Sequence, residues 1–99
     1  MSGKDIIAII GSREPTEYQC QEVMRIIGTL DKATQRVVSG CAYGIDALAL
    51  EEASDRGFET VGILPWYSYN QDIQKFCTSV WVISDFPEDK RDKAYQSVQ

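Results

Sequence analysis

The sequence predicts an α/β fold, a three-layer sandwich on a short, mostly parallel sheet of about four strands. Three observations predict it. Short β-branched, apolar runs recur at residues 6–10, 36–39, 60–64 and 79–84. Segments with helical spacing or composition separate them. Glycine- or proline-bearing turns stand at most of the junctions. Alternation of this kind brings parallel strands together through right-handed crossovers, with helices on both faces.

The run IIAII at 6–10 is apolar throughout, which suits a strand buried on both faces. Gly11-Ser12-Arg13 ends it. Pro15 and Thr16 then open a helix of about 14 residues, since proline loses nothing at a first helical position. Cys20, Val23, Ile27 and Leu30 share one helical face and should meet the sheet. RVVS at 36–39 reads as the second strand, and GCAYG at 40–44 as the turn after it. Residues 45–56 are rich in Ala, Leu and Glu, all strong helix formers, and Gly57 stops them. TVGIL at 60–64 is the third strand, broken by Pro65. After the aromatic loop 66–70, Asn70 is placed to cap a short helix over 71–77. SVWVIS at 79–84 is the fourth strand, with Trp81 in core or interface. The charged stretch 87–98 has the composition of a helix.

With 99 residues the chain is expected to be one domain, 1–99. Hydrophobic residues make up 43%, too many for a disordered chain. A net charge of −5 disfavours a DNA-coating surface, because nucleic-acid affinity comes from neutralising phosphates. It does not oppose one local positive pocket. Three cysteines without CxxC spacing, and no histidine, argue against a zinc site and against Ser-His or Cys-His machinery. An odd cysteine count with no framework spacing points to a reducing compartment, the cytoplasm. The first residues, MSGKDIIAIIGSR, lack the length and cleavage pattern expected of a signal peptide, and no apolar run reaches the length of a membrane span.

In parallel folds, ligands bind beyond the carboxyl ends of the strands. Two loops lie there. Gly11-Ser12-Arg13 offers close backbone approach, a hydroxyl and a guanidinium fork, followed by a helix N-terminus. The alternative is a plain turn with a surface arginine. Ser39-Gly40-Cys41-Ala42-Tyr43-Gly44-Ile45-Asp46 has two glycines four apart between strand and helix, the makings of an anion cradle. It is neither a Walker A loop nor GxGxxG. Asp46 either meets the helix N-terminus or bonds a ribose or the opposing loop. Cys41 reads as a small packing residue. Trp66, Tyr67 and Tyr69 stand on the same rim, where rings stack on a base or cover the core.

In these two loops the chain resembles the SLOG superfamily of Rossmann-like proteins, and within it the DNA-processing protein A (Smf) branch. That branch carries Gly-x-Arg after its first strand, here Gly11-Ser12-Arg13. It carries Ser-Gly-x-Ala-x-Gly-Ile-Asp after its second, here residues 39–46. The likeness extends more weakly through ILPW at 63–66 to residues 84–87. Tyr43 stands where the branch usually holds arginine. The Pro-Gly-Gly-x-Gly-Thr stretch of the related Lonely Guy phosphoribohydrolases is absent. Members usually continue with about two more strands. The resemblance therefore implies the first half of the fold, minimal or truncated.

The leading expectation is binding, for sensing or sequestration, of a nucleotide or nucleotide-derived signalling ligand without turnover. Gly11, Ser12, Arg13, Ser39, Gly40, Cys41, Ala42, Tyr43, Gly44, Asp46, Trp66 and Tyr69 are the ligand-binding candidates, with no cofactor or metal. The resemblance offers the alternative of single-stranded DNA binding. A third reading is a nucleotide phosphoribohydrolase whose site is shared between subunits, using Asp46, Glu51 or Tyr43. Enzymatic activity is left open, and no catalytic set is assigned. Lacking later strands, the first strand would be an exposed apolar edge, so a homo-oligomer is expected.

Overall fold

The computed structural model describes residues 3–83. Four parallel strands form one sheet in the order β1-β2-β3-β4: β1 Asp5–Ala8, β2 Gln35–Ser39, β3 Thr60–Leu64 and β4 Ser79–Val82. Helices α1 (Glu17–Thr29), α2 (Ile45–Asp55) and α3 (Gln71–Gln74) make the crossovers. The stretch 87–98 and the end of the fourth run at Ser84 lie outside the described residues.

Strand order equals sequence order, so every crossover steps the same way. Right-handed connections then put their helices on one face, so the described residues form two layers where helices on both faces were expected, and the packing agrees. Val23 and Ile27 of α1 meet Val37 of β2 and Ile45, Ala49 and Ala53 of α2. Leu50 of α2 packs with Leu64 of β3 and Ile73 of α3. Val37 pairs with Thr60, whose alternate neighbours are Gly62 and Leu64, so all these residues share one side of the sheet.

The opposite side carries Arg36 and Val38 of β2, Val61 of β3 and Trp81 of β4. Arg36 donates from Nη1 to Glu59 at 3.1 Å, and its guanidinium lies 5.6 Å from the centre of the Trp81 ring. The pair flanks β3, where Val61 is fully buried. Trp81 is thus held in a cation–π contact, with its outer side exposed.

The first strand begins earlier than its apolar run; it is not covered on both faces as that run suggests, and is instead the exposed edge expected of a sheet without later strands beside it. Register with β2 runs from Asp5↔Gln35 to Ala8↔Val38, so the strand begins before the apolar run. It is an edge of the described sheet. Ile6 is 52% and Ile10 78% exposed, not covered on two sides. An apolar, β-branched sequence specifies a strand but not how many neighbours it has.

The first helix starts one residue later than Thr16, which is its N-cap. The Thr16 hydroxyl accepts from the Gln19 amide at 3.1 Å, and the Gln19 side chain accepts from the Thr16 amide at 3.0 Å, a closed capping box. Val23 and Ile27 are buried as their spacing implies, while Cys20 and Leu30 are half-buried. Gly57 takes a left-handed φ of +85° just beyond α2, as a helix stop should. Helix α3 is shorter than expected; Asn70 stands at its N-cap as expected, but its side chain makes no capping hydrogen bond. That residue is itself left-handed (φ 40°, ψ 61°) and sends its amide elsewhere. Thr60 and Thr78 anchor β4 instead: the Thr78 hydroxyl donates to the Thr60 carbonyl at 2.7 Å, and the Thr60 hydroxyl to the Phe76 carbonyl at 2.6 Å. Among the described residues no helix is long and apolar enough to cross a membrane.

Candidate functional site

Neighbouring parallel strands end side by side, so the loops after β1 and β2 are brought together. They touch. The Ile45 amide donates to the Ser12 carbonyl at 3.0 Å. A β-carbon on Gly11 would stand 2.9 Å from the Ile45 side chain, and one on Gly44 would strike the backbone of Ser12 and Arg13. Gly44 also has φ +90°. Both glycines are therefore required by the closeness of the two loops, and Gly44 by its dihedral as well.

Arg13 lies at this junction, exposed and outside every ion pair among the described residues. The Ser12 hydroxyl accepts from the Glu14 amide at 3.0 Å, which shapes the first loop. Beside that loop opens a cleft of about 250 Å³ lined by Ile10, Gly11, Ser12, Tyr18 and Ile45, among others. Its walls are mainly apolar.

The second loop is occupied from within. Asp46 is buried, and its Oδ2 sits where the Gly40 side chain would be, 2.9 Å from that position. The Ala42 amide donates to it at a long 3.4 Å. Of the two roles open to Asp46, bonding to its own loop is the one seen. A carboxylate here puts negative charge at the α2 N-terminus, where it meets the positive end of the helix dipole. Ser39 is also committed: its buried hydroxyl donates to the Ile9 carbonyl at 2.6 Å and ties β2 to the end of β1.

Cys41 is fully buried with φ +60°, a conformation costly for a residue with a side chain. Two contacts hold it. The Asn70 side-chain amide donates to its carbonyl at 3.0 Å, and its sulfur fits against Gly62 of β3. The Cys77 sulfur lies 3.8 Å away. The hydrogen bond with Cys77 and burial push the Cys41 thiol pKa up, and the charge of Asp46 adds to this. The same bond lowers Cys77.

The aromatic rim divides. Tyr69 is only 7% exposed and belongs to the core, with Trp66 half-buried edge-on against it, ring centres 5.2 Å apart. Tyr43 and Tyr67 are 53% and 70% exposed. The Tyr43 hydroxyl reaches Asp72 at 3.3 Å, which joins the second loop to the start of α3. Of the predicted residues, Gly11, Ser12, Arg13, Tyr43, Gly44 and Ala42 lie at or beside the junction. Ser39, Cys41, Asp46 and Tyr69 support it from inside. Sequence reading missed Asn70, Asp72, Gly62 and Cys77 as parts of this region. Asn70 had a readable signal, since asparagine tolerates the left-handed region. Among the described residues no group of His, Cys, Asp or Glu could hold a metal ion.

A sequence profile described as DNA recombination-mediator protein A matches residues 1–99. Two solved structures share the fold. DNA processing protein A from Streptococcus pneumoniae superposes with a TM-score of 0.63 at 25% identity, over 79% of this chain and 29% of that one. The second is DNA processing protein A from Helicobacter pylori, whose structure concerns its single-stranded DNA binding mode. It superposes with a TM-score of 0.59 at 26% identity, over 97% of this chain and 48% of that one. The chain thus spans less than half the length of either structure. No curated protein matches it significantly in sequence.

Proposed function

The chain belongs to the DNA recombination-mediator protein A family, and from that we propose that it binds single-stranded DNA across the junction of its first two inter-element loops. The observation that carries this reading is the contact of Ser12 with Ile45 beside an exposed Arg13 that is unpaired among the described residues. Arginine is the side chain best matched to a phosphate, because its fork offers two parallel donors. Close by in the second loop, Tyr43 is 53% exposed, at the position where the branch resembled by the sequence usually has arginine. Single-strand binders use such rings as stacking platforms for bases, and stacking tolerates any sequence. The H. pylori relative, described by its single-stranded DNA binding mode, supports the same reading.

The acidic balance of −5 sets the terms. With Asp46 inside the second loop and Asp72 beyond Tyr43, it is the Arg13 side of the junction that favours phosphate among the described residues. Affinity then comes from one or two phosphates plus stacking, and its logarithm falls with the logarithm of salt by roughly 0.7 per phosphate. Fluorescence anisotropy of a labelled oligothymidine at about 50 and about 200 mM salt tests this. Binding that weakens modestly with salt is expected. Absence of binding at the lower salt overturns the proposal.

A second reading, a nucleotide-like ligand held without turnover, is favoured by the cleft of about 250 Å³ at Gly11 and Ser12, which has room for one compact group rather than a strand. Calorimetry with nucleoside monophosphates and cyclic nucleotides separates the two. Saturable mononucleotide binding by a chain that ignores oligothymidine reverses their order.

A further inference from the structure

Two of the three cysteines, 36 positions apart in sequence, meet in one pocket. The sulfurs of Cys41 and Cys77 are 3.8 Å apart, and both thiols are free. The room for them comes from Gly62. A β-carbon there would lie 2.5 Å from the Cys41 sulfur and 2.9 Å from the Cys77 sulfur, with Val80 forming the next wall at 3.6 Å. We propose that Cys41 and Cys77 form a redox-active dithiol, which a low-molecular-weight disulfide oxidises to an intramolecular cross-link tying the loop after β2 to the segment between α3 and β4.

A disulfide has an S–S length of about 2.05 Å, so the sulfurs must close by roughly 1.8 Å, which side-chain rotation in a shared pocket supplies. Neither residue is free to drift apart. Cys41 is fixed through its carbonyl by Asn70, and the Cys77 amide donates to the Gln74 carbonyl at 2.9 Å. Accessibility sets the order of events, because Cys77 is half-buried and Cys41 fully buried. The hydrogen bond that lowers the Cys77 pKa favours its thiolate, the reactive form.

The Cys77 thiolate attacks one sulfur of the small disulfide. A bond forms between them, the S–S bond of the oxidant breaks, and one small thiolate leaves and takes up the proton Cys77 gave. Cys41 then loses its proton and attacks the Cys77 sulfur of the mixed disulfide. The second small thiol departs with that proton. Two protein thiols are oxidised by two electrons, and one small disulfide becomes two thiols. Cys20, half-buried on α1, belongs to neither core cluster and takes no part.

The test uses the reduced full chain incubated with oxidised glutathione. After quenching, intact mass and a non-reducing digest locate the bonds. A product two hydrogens lighter is expected, with Cys41 and Cys77 in one linked peptide pair and a raised thermal midpoint. Cys20→Ala should give the same product. Cys77→Ala, checked for folding by circular dichroism, should give no Cys41-linked product. If wild-type protein instead carries glutathione on Cys20 alone, links through Cys20, or keeps both Cys41 and Cys77 alkylatable once unfolded, the proposal is overturned. The wild-type result decides even where a variant folds poorly, and it is independent of any DNA measurement.

Discussion

The amide of Ile45 donates to the carbonyl of Ser12 across 3.0 Å, and Gly44 beside it leaves no space for a side chain against Ser12 and Arg13. The two loops are therefore one surface. What disturbs their contact should disturb stability and binding together.

Gly44→Ala tests that coupling. The new methyl meets backbone atoms, and φ +90° is strained for alanine. A loss of about 2 kcal/mol or more in urea unfolding is expected. Oligothymidine affinity should fall in the same variant under conditions where it remains folded. A variant as stable as wild type would mean that the loops part easily.

Arg13→Ala should separate the two properties. Arg13 is exposed and unpaired among the described residues, so stability should move by less than about 0.5 kcal/mol. Affinity should drop by about 1.5–3 kcal/mol, the worth of a charge-assisted hydrogen bond. Anisotropy titrations read the second quantity and denaturant midpoints the first. Equal affinity in the two proteins would remove Arg13 from the site.

Ser39→Ala removes the hydroxyl that donates to the Ile9 carbonyl at 2.6 Å. A cost of about 1–2 kcal/mol is expected, because a buried partner is left unsatisfied. The urea midpoint should fall with an unchanged slope. DNA affinity should hold, since Ser39 works from inside.

Alkaline pH offers a readout of the sulfur pocket. In Cys77→Ala, burial and the charge of Asp46 still hold the Cys41 pKa up. An unfolded thiol titrates near about 8.5, so above that pH the unfolded chain binds fewer protons than the native one. Stability should be level below about pH 8 and decline as pH rises beyond about 8.5. In wild type, the lowered Cys77 contributes with the opposite sign and flattens the decline. Urea midpoints measured up to about pH 9.5 check both profiles; an upward trend in the variant would contradict the burial argument.

Much of this was readable from residue types. Thr16 with Gln19 three positions on, the Ala-rich α2 and Gly57 each declare a boundary through local chemistry, and the two glycine loops declare the end of the sheet where they lie. Contacts between distant residues were not readable. The exposure of Ile6 and Ile10 was foreseen from the family resemblance, not from the apolar run itself, which reads the same at an edge as at a centre. The burial of Tyr69, against the openness of Tyr67, depends on where α3 docks. Asp46 fills the loop that looked vacant because the helix start turns its carboxylate back over Gly40. Nothing local ties Cys41 to Cys77; only the stacking of β3 and β4 beneath them does.

Among the described residues β1, β2, β3 and β4 lie side by side in the order in which they are made, so none of the four is inserted between two made earlier. On the ribosome, β1-α1-β2 can close once Ser39 has emerged, and each later strand adds to a finished margin. For these four strands each pairing closes one crossover and no more, which keeps the sequence separation of paired residues low for a parallel sheet. Synthesis can thus proceed through compact intermediates, each one strand wider than the last.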